Sequence, residues 1–197
     1  MNTSAIGGVA RRALASALLI AALPAFAAEK TFAPDTYHTH LGFRAKTVLF
    51  GVDGAFKSYK ADIKGDPDTY NPASITFEID VASISTGIEA RDNHLKSADF
   101  FDAAKYPKIT FTSNKAWKEG DKVMVAGTLT MHGVSKAMTL TFDPAFGKNG
   151  AGADTWSYES AFKISRKDFG VGTADIGAKI SLKDDVDLDI MLVGFFH

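Results

Sequence analysis

Apolar and polar side chains alternate along this chain with a period of two, and that pattern constrains its fold more than any other feature. Ile75, Phe77, Ile79 and Val81 are separated by Thr76, Glu78 and Asp80. Val186, Leu188, Ile190 and Leu192 repeat the pattern near the end. Successive strand side chains point to opposite faces, so each set is one face of a β-strand. Six more segments read the same way. They are Tyr37, Thr39, Leu41, Phe43 and Ala45; Tyr59, Ala61 and Ile63; Ile109, Phe111 and Ser113; Val123, Val125, Gly127, Leu129 and Met131; Met138, Leu140 and Phe142; and Trp156, Tyr158, Ser160, Phe162 and Ile164. Eight strands are expected.

Turn formers fall between them: Asp66-Pro67-Asp68, Asn71-Pro72, Glu119-Gly120-Asp121, His132-Gly133 and the loose Lys148–Gly152 stretch. Most links are too short for a crossover helix, so the pairing is expected to be antiparallel. Two segments break the alternation. Ala45–Gly51 has room for a short helical turn. Gly87–Pro107 is longer: Thr86 and Glu89 have capping-box spacing, and Ile88, Arg91, Asp92 and Leu95 suit a brief helix.

Eight one-sided strands leave two architectures, a sandwich or a closed barrel. With 15 Phe against 2 Trp, and Phe residues recurring in or beside strands, the composition leans toward a barrel wide enough for side chains or one slim ligand. There is no cysteine, so the fold rests on its apolar core rather than on disulfides. The first 27 residues read as a secretory signal peptide. Arg11-Arg12 precedes an apolar run from Ala13 to Leu23, and Ala25-Phe26-Ala27 forms a small-x-small cleavage site. The arginine pair alone is a weak twin-arginine signal. Residues 28–197 then form one domain, with 20 basic against 23 acidic residues. No basic field for nucleic acid is present. No apolar stretch after the leader has the length of a stable transmembrane segment.

Several blocks together resemble the YceI-like family. They are Asp35-x-x-His38-Thr39-x-x-x-Phe43; Val52-x-Gly54-x-Phe56; Arg91-Asp92-x-His94-Leu95-x-x-x-Asp99-Phe100-Phe101-Asp102; Tyr106-Pro107-x-Ile109-x-Phe111; Gly127-x-Leu129-Thr130-Met131-His132-Gly133-Val134-Ser135-Lys136; and Ile176-Gly177 with Val186-x-Leu188. Lys46 stands where relatives often carry histidine. The resemblance implies an all-β, eight-stranded antiparallel, lipocalin-like barrel with short helical insertions. It also implies periplasmic members, some linked to stress responses, and an isoprenoid lipid or isoprenoid quinone in an elongated apolar channel. It implies neither a cofactor nor a reaction. A transient contact with a membrane or lipid donor would follow from such a cargo. The ligand-lining side chains are then expected to be Phe43, Phe56, Ile75, Phe77, Ile79, Phe100, Phe101, Ile109, Phe111, Leu129, Leu140 and Phe162. A filled core would show the same periodicity, which keeps a non-enzymatic interaction protein as the alternative.

Polar candidates have weaker patterns. His38 and His40 share a strand face, with Asp35 and His197 as possible company, but no closed set of metal ligands forms. Arg91, Asp92 and His94 lie near Asp99 and Asp102. A catalytic base there would lack a partner nucleophile, and the simpler expectation is a network pairing Arg91 with Asp99 or Asp102, with His94 tying the loop to the barrel. Phe100 and Phe101, if extended, would point in opposite directions. Arg166-Lys167-Asp168-Phe169-Gly170 reads as a solvated turn with an inward phenylalanine. The leader itself makes the first prediction: N-terminal sequencing of the exported protein begins at Ala28, and a membrane-held product retaining Met1 would contradict it.

Overall fold

The structure, a computed structural model, describes residues 30–70 and 73–197. The expected leader and the Asn71-Pro72 break lie outside the described residues. The strands are β1 (Lys30–Pro34), β2 (His40–Thr47), β3 (Gly51–Phe56), β4 (Tyr59–Gly65), β5 (Ala73–Asp80), β6 (Ile84–Ser85), β7 (Lys108–Glu119), β8 (Lys122–Met131), β9 (Val134–Lys148), β10 (Asp154–Ser165) and β11 (Leu182–Phe196). Helix α1 (Glu89–Lys96) lies between β6 and β7, and α2 (Ile176–Ser181) between β10 and β11.

These strands make one ring of eight antiparallel walls. Three walls are each broken into two pieces: β1 with β2, β3 with β4, and β5 with β6. β1 pairs β4 and β2 pairs β3, aligning Phe32 with Ile63 and Phe43 with Gly54. β4 pairs β5 and β3 pairs β6 in the same way. β5 and β7 to β10 then follow one another around the ring. β11 closes it, lying against β10 on one side and against β2 and β1 on the other, with Phe32 opposite Phe196. This closing pair excludes the sandwich. A closed ring leaves no free sheet edge to seed association.

Local chemistry explains the breaks. The Asp35 carboxylate accepts from the Tyr37 N–H at 2.9 Å and pairs with His38 Nδ1 at 2.7 Å. This Asx-type turn ends β1 and delays β2 to His40, so Tyr37 stands exposed instead of in the first strand. Asp80 caps the short helical turn Val81–Ser83 through the Ala82 N–H at 3.1 Å and separates β5 from β6. Ser113 sits at a bulge in β7. Its hydroxyl bonds the carbonyls of Ala126 and Lys115, and it accepts from the Lys115 N–H. The extra residue shifts the register, so Ala116 continues the inward face. Ala45–Gly51 is no helical turn; it is the end of β2 and a tight link to β3.

The ladder between β9 and β10 runs only from Asp154–Lys148 to Glu159–Asp143. Just past it, the buried Ser160 hydroxyl donates to the Thr141 carbonyl at 2.7 Å. Where the two strands part, the 3-10 turn Arg166–Phe169 fills in. Phe169 is buried, its carbonyl meets His132 Nδ1 at 3.0 Å, and Asp168 pairs with Lys136 at 2.7 Å. Arg166 is not solvated; only 3 % of it is exposed. Its guanidinium donates to the carbonyls of Val171, Gly172, Ala178, Leu182 and Lys183 at 2.9 to 3.1 Å. Five N–H donors thus meet five carbonyls.

Arg166→Ala is expected to destabilise the fold by about 3 kcal/mol or more, because buried carbonyls lose charge-assisted partners. Arg166→Lys should recover little of this, since an ammonium has three donors and no planar fork. Chemical denaturation of both variants is the check; a midpoint unchanged in Arg166→Ala would remove Arg166 as the anchor of this connection.

Candidate functional site

The inward faces enclose an apolar cavity of about 230 Å³ that runs through the barrel. Eleven of the twelve expected lining residues border it. Phe43 and Phe56 come from β2 and β3. Ile75, Phe77 and Ile79 come from β5, Ile109 and Phe111 from β7, Leu129 from β8 and Leu140 from β9. Phe100 and Phe101 follow α1. Phe162 does not border the cavity; it packs against the core from β10. Several inward residues, among them Phe43, Ile75, Phe77 and Ile79, are only half-buried. These half-buried side chains border the cavity.

The packing is specific. Phe111 lies opposite Phe77 across β5 and β7. A Cβ added to Gly127 would lie 2.6 Å from the Thr112 carbonyl oxygen and press on the Phe111 ring, so this strand glycine makes room for an aromatic neighbour. Other bordering residues were not in the expected set. Phe32 lies in β1, a strand too short to show alternation. Leu95 comes from α1 and Tyr70 from the β4–β5 connection. Tyr158 lies in β10, among the alternating residues but outside the expected lining set.

Polar groups gather at the end formed by the β4–β5 connection. The rings of Tyr70 and Tyr158 meet edge to face at 6.3 Å, and Phe32 packs on Tyr158 at 5.9 Å. Burial pushes both phenols above their ordinary range, Tyr158 far more than Tyr70. Asp66 accepts from the Asp68 N–H at 2.9 Å and the Thr69 hydroxyl at 2.7 Å, and these bonds hold its carboxyl below the usual range.

The segment from Thr86 to Pro107 covers the opposite end. Its polar network differs from the one expected. Arg91 does not pair with Asp99 or Asp102; it donates to the Thr86 hydroxyl at 2.7 Å and the Thr86 carbonyl at 3.0 Å. Thr86 does not cap α1, whose N-cap is Ile88. Asp92 reaches back instead, accepting from the Thr86 N–H at 2.8 Å and hydroxyl at 2.5 Å. His94 Nε2 lies 3.4 Å from Asp99 and 3.5 Å from Asp175, so it ties α1 to the β10–β11 connection. Its ring meets Phe100 at 5.0 Å, and Phe100 faces the cavity. Phe100 and Phe101 can both turn inward because their backbone is folded in turns: the Phe101 N–H donates to the Leu95 carbonyl and the Phe100 N–H to Ser97.

His94, Asp99 and Asp175 are the one group among the described residues with atoms close enough to share a cation. Structural zinc takes four protein ligands; here three side chains meet, with the His94 Nε2 between the two carboxylates. His38 pairs with Asp35, and His40 stands on the outer side of β2. The His94 imidazole meets Asp99, Asp175 and Phe100, and the Ser97 hydroxyl donates to the His94 carbonyl at 2.7 Å.

A closed eight-stranded antiparallel barrel with helical insertions around an apolar cavity is a lipocalin-like fold. The chain belongs to the YceI-like family, whose YceI-like domain matches residues 32–193. It is 34% identical over 187 residues to protein YceI of Escherichia coli O157:H7, covering 91% of this chain and 93% of the relative. The crystal structure of BcnA from Burkholderia cenocepacia superposes with a TM-score of 0.73 at 30% identity, covering 83% of this chain and all of that one. A polyisoprenoid binding domain from Saccharophagus degradans, implicated in plant cell wall breakdown, has the same fold. It matches with a TM-score of 0.59 at 17% identity, over 84% of this chain and 97% of that one.

The Asp92–Thr86 bonds set a pH response. They hold the Asp92 carboxyl below its ordinary value, with the Thr86 hydroxyl as the largest cause. A depressed carboxyl contributes stability that is complete above the unfolded pKa, about 3.9, and is lost as pH falls through the folded value. The melting-temperature difference between wild type and Thr86→Val is therefore expected to be greatest near neutral pH and to shrink below about pH 4. A difference that stays constant down to pH 3 would contradict this origin.

Proposed function

We propose that this protein binds an amphipathic isoprenoid lipid, a polyprenyl chain or an isoprenoid quinone, in the barrel cavity and carries it in the periplasm. The leader is removed before residue 28, and the loaded barrel touches a membrane or lipid donor only transiently. The observation that carries this reading is the cavity itself: apolar, running through the barrel, and bordered by half-buried rings. A chain exposing some 400 Å² of apolar surface gains on the order of 10 kcal/mol when it leaves water, at about 25 cal/mol per Å². Few polar contacts are needed beyond the head group. The polyisoprenoid-binding name of the Saccharophagus degradans domain is consistent with this cargo.

One observation favours a second reading. A cavity of about 230 Å³ is below the roughly 300–1,000 Å³ of ordinary ligand pockets. If the rings do not yield, the protein is a non-enzymatic interaction module with a nearly filled barrel.

Phe77→Ala separates the two, because Phe77 borders the cavity and is only half-buried, whereas Phe111 is core under either reading. As a lining residue, Phe77 should lose binding of a labelled isoprenoid quinone by about tenfold on truncation while the empty barrel keeps most of its stability. As pure core, its loss should cost about 3–5 kcal/mol with no binding to lose. Ligand should raise the melting temperature of the wild type by linkage. Mass spectrometry of an organic extract of gently purified protein identifies the cargo. No lipid in that extract, together with no isoprenoid binding by folded wild type, would leave the filled-barrel reading.

A further inference from the structure

The barrel end that carries α2 exposes a cluster of large apolar side chains. Val48 is 71%, Leu49 88%, Phe50 60%, Ile176 72% and Ile180 78% exposed. Two segments contribute them, and the fold brings these together: the Val48 N–H donates to the Ser181 carbonyl at 3.0 Å, and Thr47 pairs with Leu182. Single exposed hydrophobic residues are ordinary, but a contiguous group marks an interaction surface.

The tip is built to keep its side chains outward. The Thr47 hydroxyl accepts from the Leu49 and Phe50 N–H groups at 3.2 and 3.0 Å, and the Thr47 N–H donates to the Phe50 carbonyl at 2.7 Å. The backbone needs of the turn are met within it, so the three apolar side chains are not recruited to the core. On α2, Asp175 caps the Ala178 N–H and Ala178 is buried, which turns Ile176 and Ile180, four residues apart, toward water.

We propose that this end of the barrel docks on an anionic bilayer surface, inserting Leu49, Phe50, Ile176 and Ile180 among the acyl chains with Lys179 at the head groups. Charge supports a bilayer over a second copy of the chain. Lys179 and Lys183 flank the patch and make no ion pair among the described residues, whereas the acids Asp184 and Asp187 are held by Arg166, Lys167, Lys46 and Lys163. Asp185, exposed further along β11 and without an ion pair among the described residues, limits the electrostatic share, so insertion of the apolar side chains dominates. The cavity reaches this end, where Leu95, Phe101 and Leu182 border it. The docking names the donor for the isoprenoid reading and rests on that reading for its purpose: a cargo insoluble in water must pass between bilayer and barrel at close range.

The test uses the purified protein and vesicles of phosphatidylethanolamine and phosphatidylglycerol that contain no isoprenoid. Wild type is expected to float with the vesicles. Leu49→Glu combined with Phe50→Glu should reduce partitioning by about tenfold or more, and Lys179→Glu by about threefold. Both variants should keep the wild-type melting temperature and isoprenoid affinity in solution. In case the double variant fails to fold, Leu49→Trp gives a second readout, a blue-shifted emission on vesicle addition. Failure of wild type to associate, an unchanged folded double variant, an unshifted Leu49→Trp emission, or self-association that the double variant abolishes without any lipid association would each overturn the docking. Vesicle binding without isoprenoid binding in solution would overturn the carrier reading instead, and isoprenoid binding without vesicle binding the docking alone.

Discussion

The Arg166 guanidinium fixes the connection that follows an incomplete seam of the barrel. Backbone pairing between β9 and β10 stops at Glu159 and Asp143, and something other than a ladder must hold the rest of that wall. The turn after β10 supplies it, packing Phe169 beside His132 and Lys136. That turn could not stay buried without its polar groups being met, since an unpaired buried carbonyl carries a large desolvation cost. Arg166 meets five of them at once and so places the β10–β11 connection, α2 and the start of β11 in a single geometry. Gly172 shows how tight this arrangement is. Its φ is +67°, and a Cβ there would lie 2.8 Å from the Phe100 ring, so only glycine lets the connection pass over the aromatic cover of the cavity.

A second tension runs through the interior. Eight antiparallel walls enclose a volume that side chains can nearly fill. Here the rings of β2, β3, β5 and β7 border a space instead of closing it. Dense packing would maximise dispersion contacts, whereas an apolar void loses them on one side. An apolar guest restores those contacts, and this is the physical logic that links a cavity of this shape to an isoprenoid chain. The same logic explains why no elaborate polar site is needed: Tyr70, Tyr158 and Asp66 border the cavity at one end, and Arg166, whose donors are already met by carbonyls, borders it near the other.

The insertion between β6 and β7 is a latch rather than a reaction centre. Asp92 and Arg91 both fold back on Thr86, closing the base of the segment. His94 reaches Asp175 across the barrel end, so α1 and the connection anchored by Arg166 hold each other. Between these two fixings, Phe100 and Phe101 are presented to the cavity. The histidine and carboxylates that a sequence scan would mark as chemistry here position a hydrophobic cover.

Periodicity alone determined much of this molecule. Eight alternating segments became eight walls, because a strand's two faces are set by local backbone geometry and one face must leave water. The strand positions Phe43, Ile75, Phe77, Ile79, Ile109, Phe111, Leu129 and Leu140 followed from the same rule, whereas Phe56, Phe100 and Phe101 came with the family resemblance. What periodicity could not carry was anything that depends on distant partners. β1 was missed because Phe32 is a lone apolar residue whose partner, Phe196, lies at the other end of the chain. Arg166 read as solvated because a charged side chain beside Lys167 normally is; only the return of residues 171–183 surrounds it with carbonyls. Phe162 alternates correctly yet packs against the core without bordering the cavity, because strand parity sets a face and not a depth. The capping box at Thr86 and Glu89 had the right spacing, but Asp92 took the Thr86 donors first. Whether the inward rings leave a space at all was likewise undecided by sequence, since a filled core and a channel share one pattern. Tertiary structure decides it through the closing of β11 on β1 and β2, which fixes the diameter that the side chains must fill.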